Sequence, residues 1–413
     1  FRDLPGPFFM KVDYLLTALL LAVVIPAVLV NKLAPLRLRA NIWPPLGIFF
    51  LINVAATVLS PYPEASLNGL IILVAVVIFL TINLVMINDK GVDTWLPWVL
   101  AVSTALNAAL ASAGYFLGVE YFQGPGGRGY GGTISANNMA LMCVYVVPLM
   151  VYWAVMGSTT VRRAFGLAAT VILLAGLIST ESRGGFLNLL AVAALLIFQF
   201  RHKLHPRYLG LVVGGASALV AATIALVPQE YIQRQASLGM VVEWMSGGTR
   251  QLVEDSALDR RAAYLTVAFD AFPDRPILGS GPYTFPEIWV DSPQARMFDM
   301  TERQAHNTYL EVLIGNGIVG LVSFLILLFV TFRNYHQAEQ SLYHRGDERG
   351  AQLVGAYKIA FLSVAFYFFV KSGLDHKYFI LALPLSIAVQ RYAQNRLALL
   401  THGPSPNPAN RSG

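Results

Sequence analysis

His306 is the residue in this chain best placed for proton transfer. It closes a long polar stretch as Gln304-Ala305-His306-Asn307, just before an apolar run whose opening, Thr308-Tyr309-Leu310-Glu311, resembles a capping box. A histidine takes a proton near neutral pH and can serve as a general base. The bland alternative is an interfacial histidine bonding a backbone group. Asn307 either orients His306 or caps the helix that follows. Arginine is the residue type that would hold an anionic partner, because its planar fork grips phosphate bidentately and stays charged beside a membrane. The polar stretch holds Arg234, Arg250, Arg260, Arg261, Arg275, Arg296 and Arg303 and no lysine. Its acids, Glu254, Asp255, Asp259 and Asp270, are the competing partners for those arginines. Arg183 lies in the tight turn Thr180-Glu181-Ser182-Arg183-Gly184-Gly185. A charge there is costly unless it is paired, with Glu181 the near candidate, or faces a wet cavity. The two glycines point to close backbone approach or a sharp reversal. Arg128 sits in the glycine-rich loop Gly124–Gly132, which reads as a gate or a linker. His376 is a weaker histidine candidate.

The elements that must position these residues are apolar segments. Of 413 residues, 56% are hydrophobic and 13% charged, about half the charge of an ordinary soluble domain. The bilayer is therefore the solvent, and a spanning helix needs roughly 20 apolar residues. Eleven such stretches read near 14–30, 43–59, 67–87, 95–117, 134–156, 164–180, 184–200, 208–227, 308–332, 355–371 and 377–391. They divide the chain into N-terminal spanning helices (1–227), a long loop (228–307), C-terminal spanning helices (308–391) and a tail (392–413). The runs are continuous rather than alternating, which argues against a membrane barrel. Within the loop, Leu258, Leu265, Ala268, Phe269 and Phe272 fall at helical spacing for a surface helix. Ser256-Ala257-Leu258-Asp259 would cap it, so Arg260 and Arg261 fall near a helix N-terminus, where an anion is favoured.

Basic loops set the orientation. Asn31–Asn41, Gly157–Arg163, Arg201–Arg207, Arg333–Gly350 and the tail share one side, which the positive-inside rule assigns to the cytoplasm. The acidic loop Asn88–Thr94 falls on that side against the trend. Residues 60–66, 118–133, 181–183, 228–307 and 372–376 then face outward, so all the candidates above share one side. An odd count with an inside C-terminus suggests one further N-terminal helix, making twelve. The net charge of +6 reports this orientation and not nucleic-acid binding. Cys143 is the sole cysteine, so no intrachain disulfide staples the loop. No Walker loop, His-Glu-x-x-His, Asp-x-Asp, Gly-x-Ser-x-Gly or outward carboxylate cluster is present, so a reaction here needs a pre-activated substrate.

Arg183-Gly184-Gly185-Phe186-Leu187 fits an Arg-x₃-Leu element, and His306 with Gly317 fits His-x₁₀-Gly. With Arg260/Arg261 and Pro276-Ile277-Leu278-Gly279-Ser280-Gly281 between them, the chain resembles the O-antigen ligase/polymerase superfamily, most nearly its WaaL-type ligases. The resemblance implies an all-α polytopic bundle of about 11–12 helices, GT-C-like, with one long, partly helical periplasmic loop. It implies a multi-pass protein of the bacterial inner membrane whose site faces the periplasm. The implied reaction moves a glycan from undecaprenyl pyrophosphate to lipid A–core oligosaccharide, in contact with membrane lipids, with no cofactor, metal or ATP. His306 and Arg183 would be catalytic, Arg261 or Arg260 would hold the pyrophosphate, and Asn307, Gly317 and Arg128 would support them. Direct attack would invert the anomeric centre. An O-antigen polymerase and a protein O-oligosaccharyltransferase share this pattern. A lipid-glycan flippase is the alternative of another class, but no internal repeat and few ionisable residues within the segments support it.

Overall fold

The computed structural model describes residues 40–133, 135–201, 256–298 and 303–402. The expected segments 14–30 and 208–227 lie outside these residues, as do Arg234 and Arg250. The described chain is helical. It runs α1 (Trp43–Val58), α2 (Pro63–Met86), α3 (Trp95–Leu117), α4 (Ala136–Met156), α5 (Thr160–Ser179) and α6 (Arg183–Phe200). The loop helices α7 (Ser256–Ala271), α8 (Phe285–Asp291) and α9 (Ala295–Phe298) follow, then α10 (Thr308–His344), α11 (Glu348–Tyr367) and α12 (Lys377–His402). Among the described residues seven helices, α2–α6, α10 and α11, are long and apolar enough to cross a membrane. This is a polytopic membrane bundle.

Local sequence starts these helices where the apolar runs begin. Prolines occupy the first turn of α1 and α2, where no N–H partner is missed. Ser135, Thr159, Ser182, Asn307 and Asp347 each cap a helix through the side chain. Helices α4 and α11 form the centre, carrying buried Tyr145, Tyr357, Phe361 and Tyr367. Helices α2, α5 and α6 lie outside them and show Ile71, Ile78, Leu167, Val171 and Phe198, an apolar rim that matches lipid. Small residues bring helices close: a Cβ on Gly176 of α5 would lie 2.5 Å from that of Ala108 on α3.

Two boundaries differ from the reading of hydropathy alone. The segment 333–350 is no loop, since α10 continues to His344 and α11 starts at Glu348. Beyond the apolar stretch, Tyr335, Ala338 and Leu342 stay buried, so helix packing persists past the hydropathy limit. Likewise α12 runs to His402, through the first part of the expected tail. The acidic loop 88–94 does lie with the basic ends, and its charge is answered there. Asn395 Nδ2 donates to Asp89 Oδ2 at 2.5 Å, and Arg396 lies 4.0 Å from Asp93.

Candidate active site at the loop end of the bundle

A break in α10 seats the loop. Gly317 has φ +64° and ψ −168°, outside helical geometry and open to glycine. A Cβ there would stand 2.1 Å from the Ile277 carbonyl oxygen. The interrupted helix bonds are replaced by the loop segment Pro276–Gly281. Ser280 N donates to Ile314 O at 2.9 Å and Gly281 N to Gly315 O at 2.8 Å, while Ile318 N donates to Pro276 O at 2.8 Å. Backbone groups on both sides of the kink are thus paired by protein, the condition for irregular backbone near a membrane. The turn after α1 clamps the same segment: Ser60 Oγ donates to Ser280 O, and Arg275 Nη1 to Leu59 O, both at 2.5 Å.

Above this anchor the loop has its own small core. Tyr264 and Ala268 of α7 meet Phe285 and Trp289 of α8, and the cluster rests on Leu310 and Ile314 of α10. Tyr264 and Trp289 pack edge to face at 4.7 Å. The expected apolar face of α7 is corrected here. Ala268 is buried, but Phe269 is 63% exposed and Leu265 is exposed, while Ala263, Tyr264 and Val267 point inward. The buried face is set by the partner α8, whose aromatics select the tyrosine edge.

His306 sits where this small core meets the bundle. Its φ is +51°, a left-handed conformation that costs a non-glycine residue on the order of 1–3 kcal/mol. Its neighbours hold it there. Asn307 accepts from Leu310 N at 3.1 Å as the helix cap, so Asn307 and not Thr308 fills the capping position. Glu311 reaches back to accept from Ala305 N at 2.9 Å and from Ser372 Oγ at 2.5 Å. Thr308 donates its N–H to Phe368 O at 2.8 Å and its hydroxyl to Lys371 O at 2.7 Å. The Tyr264 ring lies 6.0 Å from the imidazole. Burial, reinforced by the positive field of Lys371, Arg261, Arg303 and Arg260, pushes His306 down to about 4. The ring is therefore neutral at physiological pH and can accept a proton. Arg303 also hydrogen-bonds to Tyr264.

The Arg183 turn belongs to the same end. Ser182 caps α6, making Arg183 its first residue. The adjacent glycines serve close approach: a Cβ on Gly184 would meet Val370 at 2.8 Å, and one on Gly185 would meet Ala140 at 2.6 Å. The reversal itself is made by Glu181, whose φ is +48° and whose Oε1 accepts from Tyr115 at 3.0 Å. Arg128 is fixed beside this turn, with Nε donating to Thr180 O at 2.7 Å and Nη2 to Asn137 Oδ1 at 3.3 Å. The glycine-rich loop is pinned as well, through Gly129 N to Ser179 O at 2.7 Å and Gln123 Nε2 to Gly114 O at 2.7 Å. Asn137 Oδ1 also accepts from Ser182 Oγ at 2.9 Å, and Asn137 O from the Tyr367 hydroxyl at 2.9 Å. Tyr367 lies within electrostatic reach of both Arg261 and Arg128, and Arg261 in turn reaches His306. Arg261 therefore lies in the electrostatic surroundings of both the Tyr367 hydroxyl and His306.

Several of these neighbours escaped the sequence reading. Lys371 hides at the end of an apolar run, and Asn137 and Tyr367 look like ordinary helix residues. The usable signal was the short outward loop 372–376, in which His376 drew attention first. His376 instead accepts from Tyr378 N at 3.3 Å and starts α12, with burial lowering it to about 3.

Residues 168–325 match the family model described as O-Antigen ligase. The match runs from α5 through the Arg183 turn and α7 to His306 and Gly317. An uncharacterized protein of Haemophilus influenzae Rd is 22% identical over 219 residues, 51% of this chain and 52% of that protein. The chain spans about half the length of that curated relative. Over residues 168–325, 158 of its 413, the chain is similar to the O-Antigen ligase family.

Proposed function

We propose that the chain is an O-antigen ligase of GT-C-like type in the bacterial inner membrane, transferring a glycan from undecaprenyl pyrophosphate to a hydroxyl of lipid A–core oligosaccharide on the periplasmic side. The observation that carries this reading is His306, neutral and strained, faced by Lys371, Arg261, Arg303 and Arg260. A neutral base beside clustered cations suits a neutral nucleophile attacking a carbon that bears an anionic leaving group.

In this reading His306 takes the proton of the acceptor hydroxyl as its oxygen bonds to the anomeric carbon. The bond from that carbon to the pyrophosphate oxygen breaks, and its electron pair leaves with the pyrophosphate. Arg261 and Arg260 hold the leaving group from α7, and Arg183 adds charge from the head of α6. Asn307 and Gly317 act indirectly, by capping α10 and by seating the loop. Arg128 steadies the Arg183 turn. Loss of one charged donor costs such a site about 10²–10³ in rate, and loss of a general base about 10²–10⁴. The attack inverts the anomeric centre. No cofactor, metal or ATP takes part, because the pyrophosphate supplies the activation.

The test is transfer by purified protein given undecaprenyl-pyrophosphate-linked glycan and lipid A–core, with EDTA present and ATP absent. Glycan should appear on lipid A–core with wild type and be lost with folded His306→Ala. Chain growth without lipid A–core would assign the polymerase instead, and retention of configuration would overturn the single displacement.

A further inference from the structure

The opposite end of the same helices carries a cavity unrelated to the His306 site. It measures about 180 Å³, roughly six water volumes, and lies between the start of α5, the start of α11 and the last turns of α12. Arg162, Arg349 and Arg396 line it, against one lining carboxylate, Asp93. We propose that this cavity binds a phosphate group, most fittingly the headgroup of an anionic phospholipid from the adjacent leaflet.

Three independent features favour an anion here. The first is charge. Arg396 is already engaged by Asp347, through Nη2 to Oδ1 at 3.1 Å and through Nε to Oδ2, and it lies 4.0 Å from Asp93. Arg162 reaches Ser158 at 3.5 Å, and no carboxylate among the described residues pairs with Arg162 or Arg349 within 4.0 Å. Two guanidinium groups therefore remain for a ligand. The second is backbone polarity. Arg162 and Gly350 stand in the first turns of two helices of 20 residues each, whose positive ends meet at the cavity. The third is lining chemistry. Tyr152, Tyr392 and Ser158 add hydroxyl-bearing side chains beside the arginines, and Trp153 and Leu353 give an apolar floor suited to the glycerol and first methylenes of a lipid.

Position supports the lipid source. This is the end that gathers the basic loops, and basic pockets between spanning helices on that side hold anionic headgroups. Helix α11 runs 20 residues from this cavity toward Lys371, about 30 Å. The cavity is therefore separate from the His306 site, and its occupant is not the glycan donor bound there.

Nanodiscs of zwitterionic lipid alone, and nanodiscs doped with phosphatidylglycerol, separate the outcomes. Wild type should melt several degrees higher in the doped discs and retain the anionic lipid in native mass spectrometry. The double variant Arg162→Gln/Arg349→Gln should lose both effects, whereas Arg162→Lys/Arg349→Lys, which keeps the charge, should retain most of them. The melting point in zwitterionic discs reports folding of each variant. In a parallel arm, inorganic phosphate added to protein in zwitterionic discs reads the soluble source. Stabilisation by phosphate without lipid dependence, lost in the Gln variant, would assign a free phosphate to the same residues. Equal stabilisation of wild type and the Gln variant by both probes, or no stabilisation of wild type by either, overturns the proposal.

Discussion

His306 is a base kept unprotonated by its surroundings, and that has consequences for pH. Its ordinary value near 6.5 applies to the unfolded chain, while the folded ring is held at about 4. A histidine depressed on folding favours the native state above the unfolded value, and the contribution fades as pH falls from about 6.5 towards 4. The full effect is at most about 3 kcal/mol, less whatever water screens at this half-buried ring. Wild type should therefore lose stability between pH 7 and 4.5 more steeply than His306→Gln, as read by thermal melts across that range. Donor binding would change the balance, because pyrophosphate would offset the positive field of Lys371 and the three arginines. The acid limb of kcat/KM reports the free enzyme and that of kcat the complex. The first should therefore lie near pH 4 and the second at higher pH. Coincident limbs would show that the ligand does not face His306. Arg261 and Arg260 separate in the same way. Arg261 reaches both Tyr367 and His306, so Arg261→Gln should cost about 10²-fold in kcat/KM, and Arg260→Gln less. The reverse order in the transfer assay would give Arg260 the larger role.

At the scale of elements, the kink in α10 and the docked segment 276–281 form one device. Gly317→Ala would place a methyl carbon 2.1 Å from the Ile277 carbonyl oxygen at a φ of +64°. The helix must then straighten or the segment must leave, and either displaces α7 and its arginines. Transfer should be abolished, and limited proteolysis should cut within 256–298 while the bundle stays intact. Trp289→Ala tests the upper half of the device, because emptying the site of a fully buried tryptophan costs about 3–5 kcal/mol. It too should free the loop without unfolding the bundle. Much of this end was legible beforehand. Apolar runs mark spanning helices because the bilayer demands them, Arg183 stands out as a charge between two of those runs, and Arg261 and His306 belong to the one long polar stretch. The rest was hidden for physical reasons. The spacing from His306 marks Gly317, but not that it breaks the helix to receive a docked backbone. The inward face of α7 depends on Trp289 and Phe285, 17 to 26 residues away in sequence. The cap shifts from Thr308 to Asn307 because Thr308 is spent on the 368–371 backbone.

At the scale of the whole molecule, the helices carry two chemically different ends. One end holds the loop, the Arg183 turn and His306. The other gathers Arg162, Arg349 and Arg396, with the acidic loop 88–94 drawn in to neutralise part of that charge. Spanning helices joined by a short loop run in opposite directions, so each links the two ends and the assignment of one fixes the other. The basic end belongs in the cytoplasm if the positive-inside rule holds. The chain offers a clean way to test this, since its sole cysteine, Cys143, is 1% exposed and blind to bulky reagents. Single cysteines placed at Asp274 in the loop and at Gly346 between α10 and α11 should report opposite sides. A membrane-impermeant maleimide on intact cells with a permeabilised outer membrane should label the position-274 variant at once. The position-346 variant should react only after the inner membrane is opened. Labelling of both from the same side would mean that the ends are not separated by a bilayer. Inverted labelling would place the His306 site in the cytoplasm, where a periplasmic lipid A–core acceptor cannot reach it, and the ligase reading would fail with it.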